Sequence, residues 1–219
     1  MTARRLDTPG SERAELGEQV ERYATFVLAN LLWALVSIPL VTLPAATAGL
    51  FAVMSARRRG KLGDLFGTFF GAARRLWLKA TLLMALNLVG GGLVAVNLSI
   101  FPLMDLSADP LAFVARSVTL FAALAVLLVN LYIWPLLVLL EDLSLKALLD
   151  NAVRLVFAHP LWSLLLLLAA AAIVGVSLLL PRGVFALATA SACAWVINWG
   201  AWRVIRQHLP DEAGGGEVE

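Results

Sequence analysis

The chain has 219 residues, of which 61% are hydrophobic and 15% are charged, and its formal net charge is +2. Soluble domains contain about 45–50% apolar and about 25% charged residues, so this composition excludes an ordinary soluble protein and predicts that lipid covers much of the surface. The single cysteine, Cys193, excludes a disulfide framework and a zinc site built from cysteines.

The two ends of the chain are polar. In residues 1–22 arginines alternate with acidic residues, and such interleaved charges argue against a nucleic-acid partner. Residues 206–219 are acidic and rich in glycine. We therefore predict a polar tail over 1–22, a single membrane domain over 23–205 and a disordered tail over 206–219.

The first apolar segment runs without a charge from Arg22 to Arg57. At about 1.5 Å per residue, one straight helix of this length would measure about 50 Å, whereas the apolar core of a bilayer is about 30 Å thick. Each proline lacks an N–H group and clashes with the preceding turn, so we expect the segment to be broken at Pro39–Pro44. The alternative is a re-entrant hairpin over residues 30–54.

Two stretches have apolar residues at helical spacing with polar residues on the opposite side. They are residues 62–76, which follow a basic cluster, and residues 143–157, which end before Pro160. We predict two cytoplasmic amphipathic helices. Each of them either lies on the membrane surface or packs against the membrane-spanning helices.

Four further apolar runs contain no charged residue and have the length of a membrane span. With the broken first segment they predict an all-α integral membrane protein with five transmembrane helices. Three consecutive glycines, residues 90–92, lie inside the first of these runs and would permit a close helix contact or a local bend. The four runs are residues 80–104, 117–140, 161–180 and 184–202.

The distribution of lysine and arginine predicts the orientation. Residues 57–79 contain seven basic residues and residues 102–115 contain none. We therefore place 57–79, 141–160 and the C-terminus in the cytoplasm. Five crossings would put the N-terminus outside the cell, whereas a re-entrant first segment leaves four crossings and a cytoplasmic N-terminus.

Polar side chains inside the apolar segments are candidate site residues, because polar groups in a bilayer are costly unless they are paired. Asn30, Trp33, Thr42 and Thr47 flank the expected break, and Asn130 lies in the third span. Broken helices expose backbone groups that bind solutes or ions. The alternative role of these side chains is hydrogen bonding between helices.

The sequence lacks the patterns that indicate an enzyme. It contains no convergent set of titratable groups, and His159 and His208 are isolated from carboxylates at ligand spacing, so we predict no catalytic activity, no metal site and no cofactor. No predicted span contains an acidic or basic residue, which argues against an ion-coupled pump. The adjacent Glu141 and Asp142 favour helix capping or a salt bridge with a nearby arginine over acid–base chemistry.

The second amphipathic stretch is also a candidate docking surface. Asp150 and Arg154 share its polar side, and residues 62–76 face the same side of the membrane. The two helices would then form one docking surface for a partner protein. The competing interpretation is that both helices lie flat on lipid.

One pattern resembles a known family. Asn30-Leu-Leu-Trp33 is followed by Ile38-Pro39-Leu-Val-Thr42, then by Pro44-Ala45-Ala-Thr47-Ala48, and the segment ends in basic residues. This order resembles the YesL-like family of bacterial membrane proteins, a domain family of unknown function. The resemblance implies a small multi-pass protein of the bacterial plasma membrane. It also implies an association with sugar-uptake ABC transporters.

These observations favour a non-enzymatic accessory or regulatory protein linked to carbohydrate uptake, acting in the bilayer through a transporter partner. The alternative is a small transporter or channel, a homo-oligomer, with a solute site at the broken first helix.

Overall fold

The computed structural model describes residues 9–100, 110–179 and 189–207. These residues form α-helices and short connections without a strand, so the predicted all-α class is confirmed. The ends of both predicted tails, residues 102–109 of the loop expected at 102–115, and the turn expected at 181–183 lie outside the described residues, whereas residues 110–115 belong to a helix. The helices are α1 (Pro9–Val36), α2 (Leu43–Arg58), α3 (Leu65–Ile100), α4 (Pro110–Leu139), α5 (Leu145–Ala158), α6 (Pro160–Leu179) and α7 (Ala190–Ile205).

The first apolar segment is broken, as predicted. Helix α1 ends at Val36, a single 3₁₀ turn spans Leu40–Thr42, and α2 has a proline in its first turn, where the missing N–H group costs nothing. Trp33 and Thr47 lie on either side of the break and are joined by a hydrogen bond of 3.2 Å. In one straight helix, residues fourteen positions apart would be about 21 Å apart. The two helices therefore bend back towards each other.

Helix α3 corrects the prediction of a separate first amphipathic helix. Residues 65–100 form one continuous helix, which merges most of the predicted 62–76 helix with the span that was expected from residue 80. The sequence between them, Leu76 to Ala80, contains no proline or glycine that would end a helix. The predicted apolar stripe divides: Phe69 is buried, whereas Phe66 and Phe70 are exposed.

Helix α2 is the centre of the packed core. It contacts α1, α3, α4 and α7, and Ala46, Val53 and Met54 are buried. It ends in a Schellman motif, in which the N–H of Lys61 donates to the carbonyl of Ala56 over 2.9 Å. Gly60 supplies the positive φ of 65° that this motif requires.

Helix α5 agrees with the second amphipathic prediction in position. The side chain of Ser144 caps its start by accepting from the N–H of Ala147 over 3.2 Å. Four apolar residues at helical spacing are buried, and α5 contacts α4 and α6. The buried side therefore packs against other helices of the protein. The four residues are Leu148, Ala152, Leu155 and Val156.

Among the described residues, four helical segments are long and apolar enough to cross a membrane. Outside the packed core, α3, α4 and α6 expose large apolar side chains, among them Leu93, Phe121 and Leu168. Soluble monomers rarely expose apolar patches of this extent, whereas a bilayer covers them. These features indicate a membrane protein. The four segments are Leu40–Arg58, Leu65–Ser99, Pro110–Leu139 and Pro160–Leu179.

The three consecutive glycines of α3 make no close helix contact with the described part of the chain. Helix α3 is continuous through them, and a Cβ atom added at residue 90, 91 or 92 would meet no described atom within 4 Å. Gly49 of α2 is different, because an added Cβ would lie 2.8 Å from the carbonyl oxygen of Phe69. The close helix approach in this fold is between α2 and α3 at Gly49.

We expect Gly49→Ala to lower the free energy of unfolding by about 1–3 kcal/mol, because the new methyl group overlaps a backbone atom that cannot move by a side-chain rotation. Gly91→Ala is the matched control, and removing a helical glycine in open space should leave stability unchanged or raise it by up to about 1 kcal/mol. Thermal unfolding of the two variants in mild detergent measures the difference. Equal stability of both variants would contradict the proposed helix contact.

Candidate functional site: polar groups at the helix break

The hydroxyl of Thr42 forms hydrogen bonds to the backbone at the break between α1 and α2. It lies 2.7 Å from the carbonyl oxygen of Pro39 and also hydrogen-bonds to the carbonyl of Val36, the last residue of α1. Carbonyl groups in the last turn of a helix have no partner in their own helix. Thr42 thus supplies a hydrogen bond that the broken backbone would otherwise lack.

Trp33 and Thr47 connect the two helices across the break. The indole Nε1–H of Trp33 donates to Thr47 Oγ1 over 3.2 Å, and the Thr47 hydroxyl donates to the carbonyl oxygen of Leu43 over 2.8 Å. The threonine uses its oxygen as an acceptor and its hydrogen as a donor, so both functions of the hydroxyl are satisfied.

Asn30 connects α1 to the start of α7. Its side chain is fully buried, and its Oδ1 accepts the backbone N–H of Ser191 over 2.9 Å, across 161 residues of sequence. Ser191 lies in the first turn of α7 as described. Asn30 therefore ties α1 to the N-terminal part of α7 through a side-chain-to-backbone hydrogen bond.

Asn130 lies apart from this cluster. It exchanges two hydrogen bonds of 2.8 and 2.7 Å with Asn87 of α3 and donates to the carbonyl of Val126 in its own helix over 2.9 Å. Of the five predicted residues, the structure thus joins Trp33 to Thr47 across the break, while Thr42 bonds to the backbone at the break and Asn30 bonds to α7. Asn130 instead joins α3 to α4.

The arrangement at the break favours hydrogen bonding between helices over solute binding. Asn30, Trp33, Thr42 and Thr47 each bond to another group of the chain, and none of them is titratable near neutral pH. In the part of the chain that is described, no three His, Cys, Asp or Glu side chains are close enough to hold a metal ion. The chemistry of this cluster is that of neutral donors and acceptors.

The sequence analysis did not predict the polar contacts that Arg75 and Lys79 of α3 make with the connection after α4. Lys79 donates to the carbonyls of Glu141 and Leu143, with 3.0 Å to the second, and so ties α3 to the connection between α4 and α5. Arg75 forms a bidentate salt bridge with Glu141 over 3.0 and 3.1 Å, which agrees with the interpretation of this acid as a salt-bridge partner. The signal in the sequence was the position of Arg75 and Lys79 directly before a charge-free run.

The predicted docking residues lie on the outside of α5. Asp150 and Arg154 are exposed and one turn apart. Arg154 also borders a cleft of about 380 Å³ between α4, α5 and the end of α7. The other residues that line this cleft are Leu136, Leu140, Asn151, Leu155, Ala158 and Ile205.

A comparison with family models matches the region that contains the break. Residues 26–98 match a family described as a protein of unknown function, DUF624. The match covers 73 of the 219 residues. DUF624 is the YesL-like family, so the resemblance inferred from the pattern at Asn30 to Ala48 is confirmed. No curated protein and no solved structure matches the chain.

The DUF624 region contains both halves of the broken segment and nearly all of α3. It therefore includes Asn30, Trp33, Thr42 and Thr47, together with the Asn87 half of the asparagine pair. Helices α4 to α7, which supply Asn130 and Ser191, follow it in the chain.

We expect Asn30→Leu to lower the free energy of unfolding by about 1–3 kcal/mol, because the buried N–H of Ser191 loses its acceptor and leucine has a similar volume. Asn97→Leu is the control, since Asn97 is exposed on α3 and makes no hydrogen bond to the described part of the chain. The variants are compared by thermal unfolding in detergent. A loss for Asn97→Leu as large as that for Asn30→Leu would argue against the bond from Asn30 to α7.

Proposed function

We propose that this protein is a non-enzymatic accessory or regulatory component of carbohydrate uptake in the bacterial plasma membrane. It acts by binding a transporter partner, either the permease or the ATPase of an ABC system. The observation that carries the proposal is the position of α5, which is fixed to the helix bundle on one side and presents exposed charges on the other.

The packing of α5 supports a role in docking. Leu148 and Ala152 are fully buried, and Leu155 and Val156 nearly so, which holds the helix in one orientation. Asp150 and Arg154 on the outer side are then displayed without a large loss of conformational freedom on binding. Opposite charges one turn apart favour a partner with the reverse arrangement of charges.

The exposed apolar side chains beside these charges agree with both interpretations made from the sequence, which are docking of a partner and contact with lipid. Phe157 is 72% exposed and Val153 is 39% exposed on α5. Such residues suit the apolar centre of a protein interface. They also suit the lipid surface next to the helix. A test that distinguishes docking of a partner from lipid contact must therefore change the charged residues Asp150 and Arg154.

The connection to carbohydrate uptake rests on the YesL-like family, whose members are associated with sugar-uptake ABC transporters. The proposal of an accessory role, rather than transport by this chain alone, is supported by the hydrogen bonding at the break. The polar groups of Thr42 and Thr47 are already bonded within the chain. A solute would have to displace those bonds.

The alternative function is transport through a homo-oligomer. It is favoured by the break itself, because interrupted helices in transporters often carry the binding site. Flux of a sugar through liposomes that contain only this protein would establish the alternative and contradict the accessory role. Absence of flux, with uptake restored by an added permease, would support the accessory role.

We also propose that the N-terminus lies on the same side of the membrane as the basic end of α2, in the cytoplasm. The contact between Trp33, near the end of α1, and Thr47, near the start of α2, supports this arrangement. It indicates that α2 runs back alongside α1, so the start of α1 lies on the side of the membrane where α2 ends. This choice corresponds to the four-crossing alternative rather than to five crossings.

We therefore expect a tag at the N-terminus to be cleaved by protease in inside-out vesicles and to be protected in intact spheroplasts. A tag at the C-terminus serves as the cytoplasmic reference and should behave in the same way. Cleavage of the N-terminal tag in spheroplasts, with the C-terminal tag protected, would instead establish five crossings.

For docking, we expect the double substitution Asp150→Ala and Arg154→Ala to reduce co-purification of an ABC permease or ATPase from native membranes at least severalfold. Both side chains are exposed, so stability should be unaffected. Arg116→Ala on α4 is the matched control, because it removes one exposed charge far from α5 along the helix bundle. Partner recovery is measured by quantitative mass spectrometry.

Unchanged recovery of the transporter subunit from the double variant would contradict docking through α5. Purification of the wild-type chain as a homo-oligomer without any transporter subunit would contradict the accessory role. The search for a function would then move to the transport alternative at the break.

A further inference from the structure

Three arginines gather where α2 and α7 end. Arg58 is the last residue of α2, Arg203 lies in the last turn of α7, and Arg206 follows that helix. Arg203 and Arg206 are exposed. All three directly follow or close apolar helices, which is the position of the membrane surface for a spanning segment.

Aromatic rings and the backbone hold two of these guanidinium groups in place. Arg58 lies 6.0 Å from the ring centre of Trp202 and donates to the carbonyl of Asn198, and Arg203 lies 5.2 Å from the ring centre of Trp162. These are cation–π distances. The rings orient the two guanidinium groups, and most of their N–H donors are not used in the contacts named here.

Arg206 lies between the two arginine–tryptophan pairs. In a helix of about 3.6 residues per turn, residue 206 falls between residues 202 and 203 when the helix is viewed along its axis. Arg206 follows Trp202, the ring partner of Arg58, by one helical turn, so the positive charges of Arg206 and Arg58 repel each other. The three arginines therefore form an arc of like charge across the end of α7.

The described acidic side chains do not neutralise this arc. Asp64 accepts the N–H groups of Phe66 and Gly67 at the start of α3, and Glu141 is paired with Arg75. Asp142 and Asp150 make no salt bridge to the three arginines in the described chain. Like charges that are held together without a counter-charge favour the binding of an anion.

We propose that Arg58, Arg203 and Arg206 bind the phosphate of an anionic phospholipid headgroup in the cytoplasmic leaflet. Arginine forms bidentate hydrogen bonds with phosphate oxygens. Basic clusters directly cytoplasmic to a membrane helix are typical sites for anionic lipids. Trp162, Trp199 and Trp202 beside the cluster belong to the residue type that prefers the same interfacial depth.

A lipid is favoured over a free phosphate ion because of the neighbouring surface. Trp199 is 43% exposed beside Trp162, with their ring centres 6.0 Å apart, and the exposed side chains of α6 continue this apolar surface. A phospholipid bound by its headgroup would place its acyl chains along that surface. A free ion would use the arginines alone.

The test is native mass spectrometry of the full-length protein in detergent, titrated with phosphatidylglycerol or with phosphatidylcholine. We expect the wild-type chain to retain phosphatidylglycerol and to prefer it to phosphatidylcholine. Arg206→Gln should weaken phosphatidylglycerol binding about fivefold, the contribution of one basic residue near an anionic surface. Arg206→Lys, which keeps the charge, should lose much less.

Arg116→Gln is the matched control, because it removes one exposed arginine elsewhere on the protein, and its binding should equal that of the wild type. Inorganic phosphate at millimolar concentration distinguishes the two sources of the phosphate group. Phosphatidylglycerol binding that persists in its presence supports a lipid site. Complete competition would overturn the proposal in favour of a free-anion site.

Two further results would overturn the proposal. Equal binding of the two lipids would remove the role of the headgroup charge. An equal loss for Arg116→Gln would show that net charge, rather than this cluster, attracts the lipid.

Discussion

The structure depends on one constraint, which is that a backbone N–H or C=O group outside a regular helix must find a hydrogen-bond partner where water is absent. The chain meets it with side chains at three places where helices begin or end. Asn30 accepts the N–H of Ser191 at the start of α7, and the Thr42 hydroxyl bonds to carbonyl groups at the end of α1. Lys79 donates to the two carbonyls that follow α4. Each bond also fixes one helix relative to another.

The broken first segment shows how this constraint couples local and distant structure. Pro39 and Pro44 determine that the helix stops and where it begins again. They do not determine the direction of the second helix. That direction is fixed by the bond between Trp33 and Thr47, which holds α2 against α1, while Asn30 on the preceding turn of α1 bonds to α7. A break in the chain thus becomes the point at which three helices meet.

This division explains which features could be predicted from the sequence. The helices, the break and α5 follow from proline positions, apolar spacing and capping residues, all of which are local. The continuity of α3 was missed because an amphipathic start and an apolar continuation look like two elements when only hydrophobicity is considered. The pairing of Asn30 with Ser191 spans 161 residues, and no local pattern marks which of several asparagines in apolar segments makes this bond. The candidate residues could therefore be chosen from the sequence, but their hydrogen-bond partners could not.

Burial is uneven along the helices, and this unevenness bears on where the surfaces proposed for a partner and for a lipid lie. In α4, the residues from Leu131 to Val138 are buried, whereas Val118 and Phe121 in the first half are exposed. Lipid tails are as apolar as these side chains, so hydrophobicity alone cannot hold the packed half together in a membrane. Hydrogen bonds between helices, such as that of 2.8 Å between Tyr132 and Ser163, contribute to holding it together, because lipid tails offer these polar groups no hydrogen-bond partner. The packed half of α4 lies at the same end of the helix bundle as α5 and the three arginines. The surfaces proposed for a partner and for a lipid therefore lie on the part of the protein that these polar bonds hold together, and the exposed half of α4 faces away from that core.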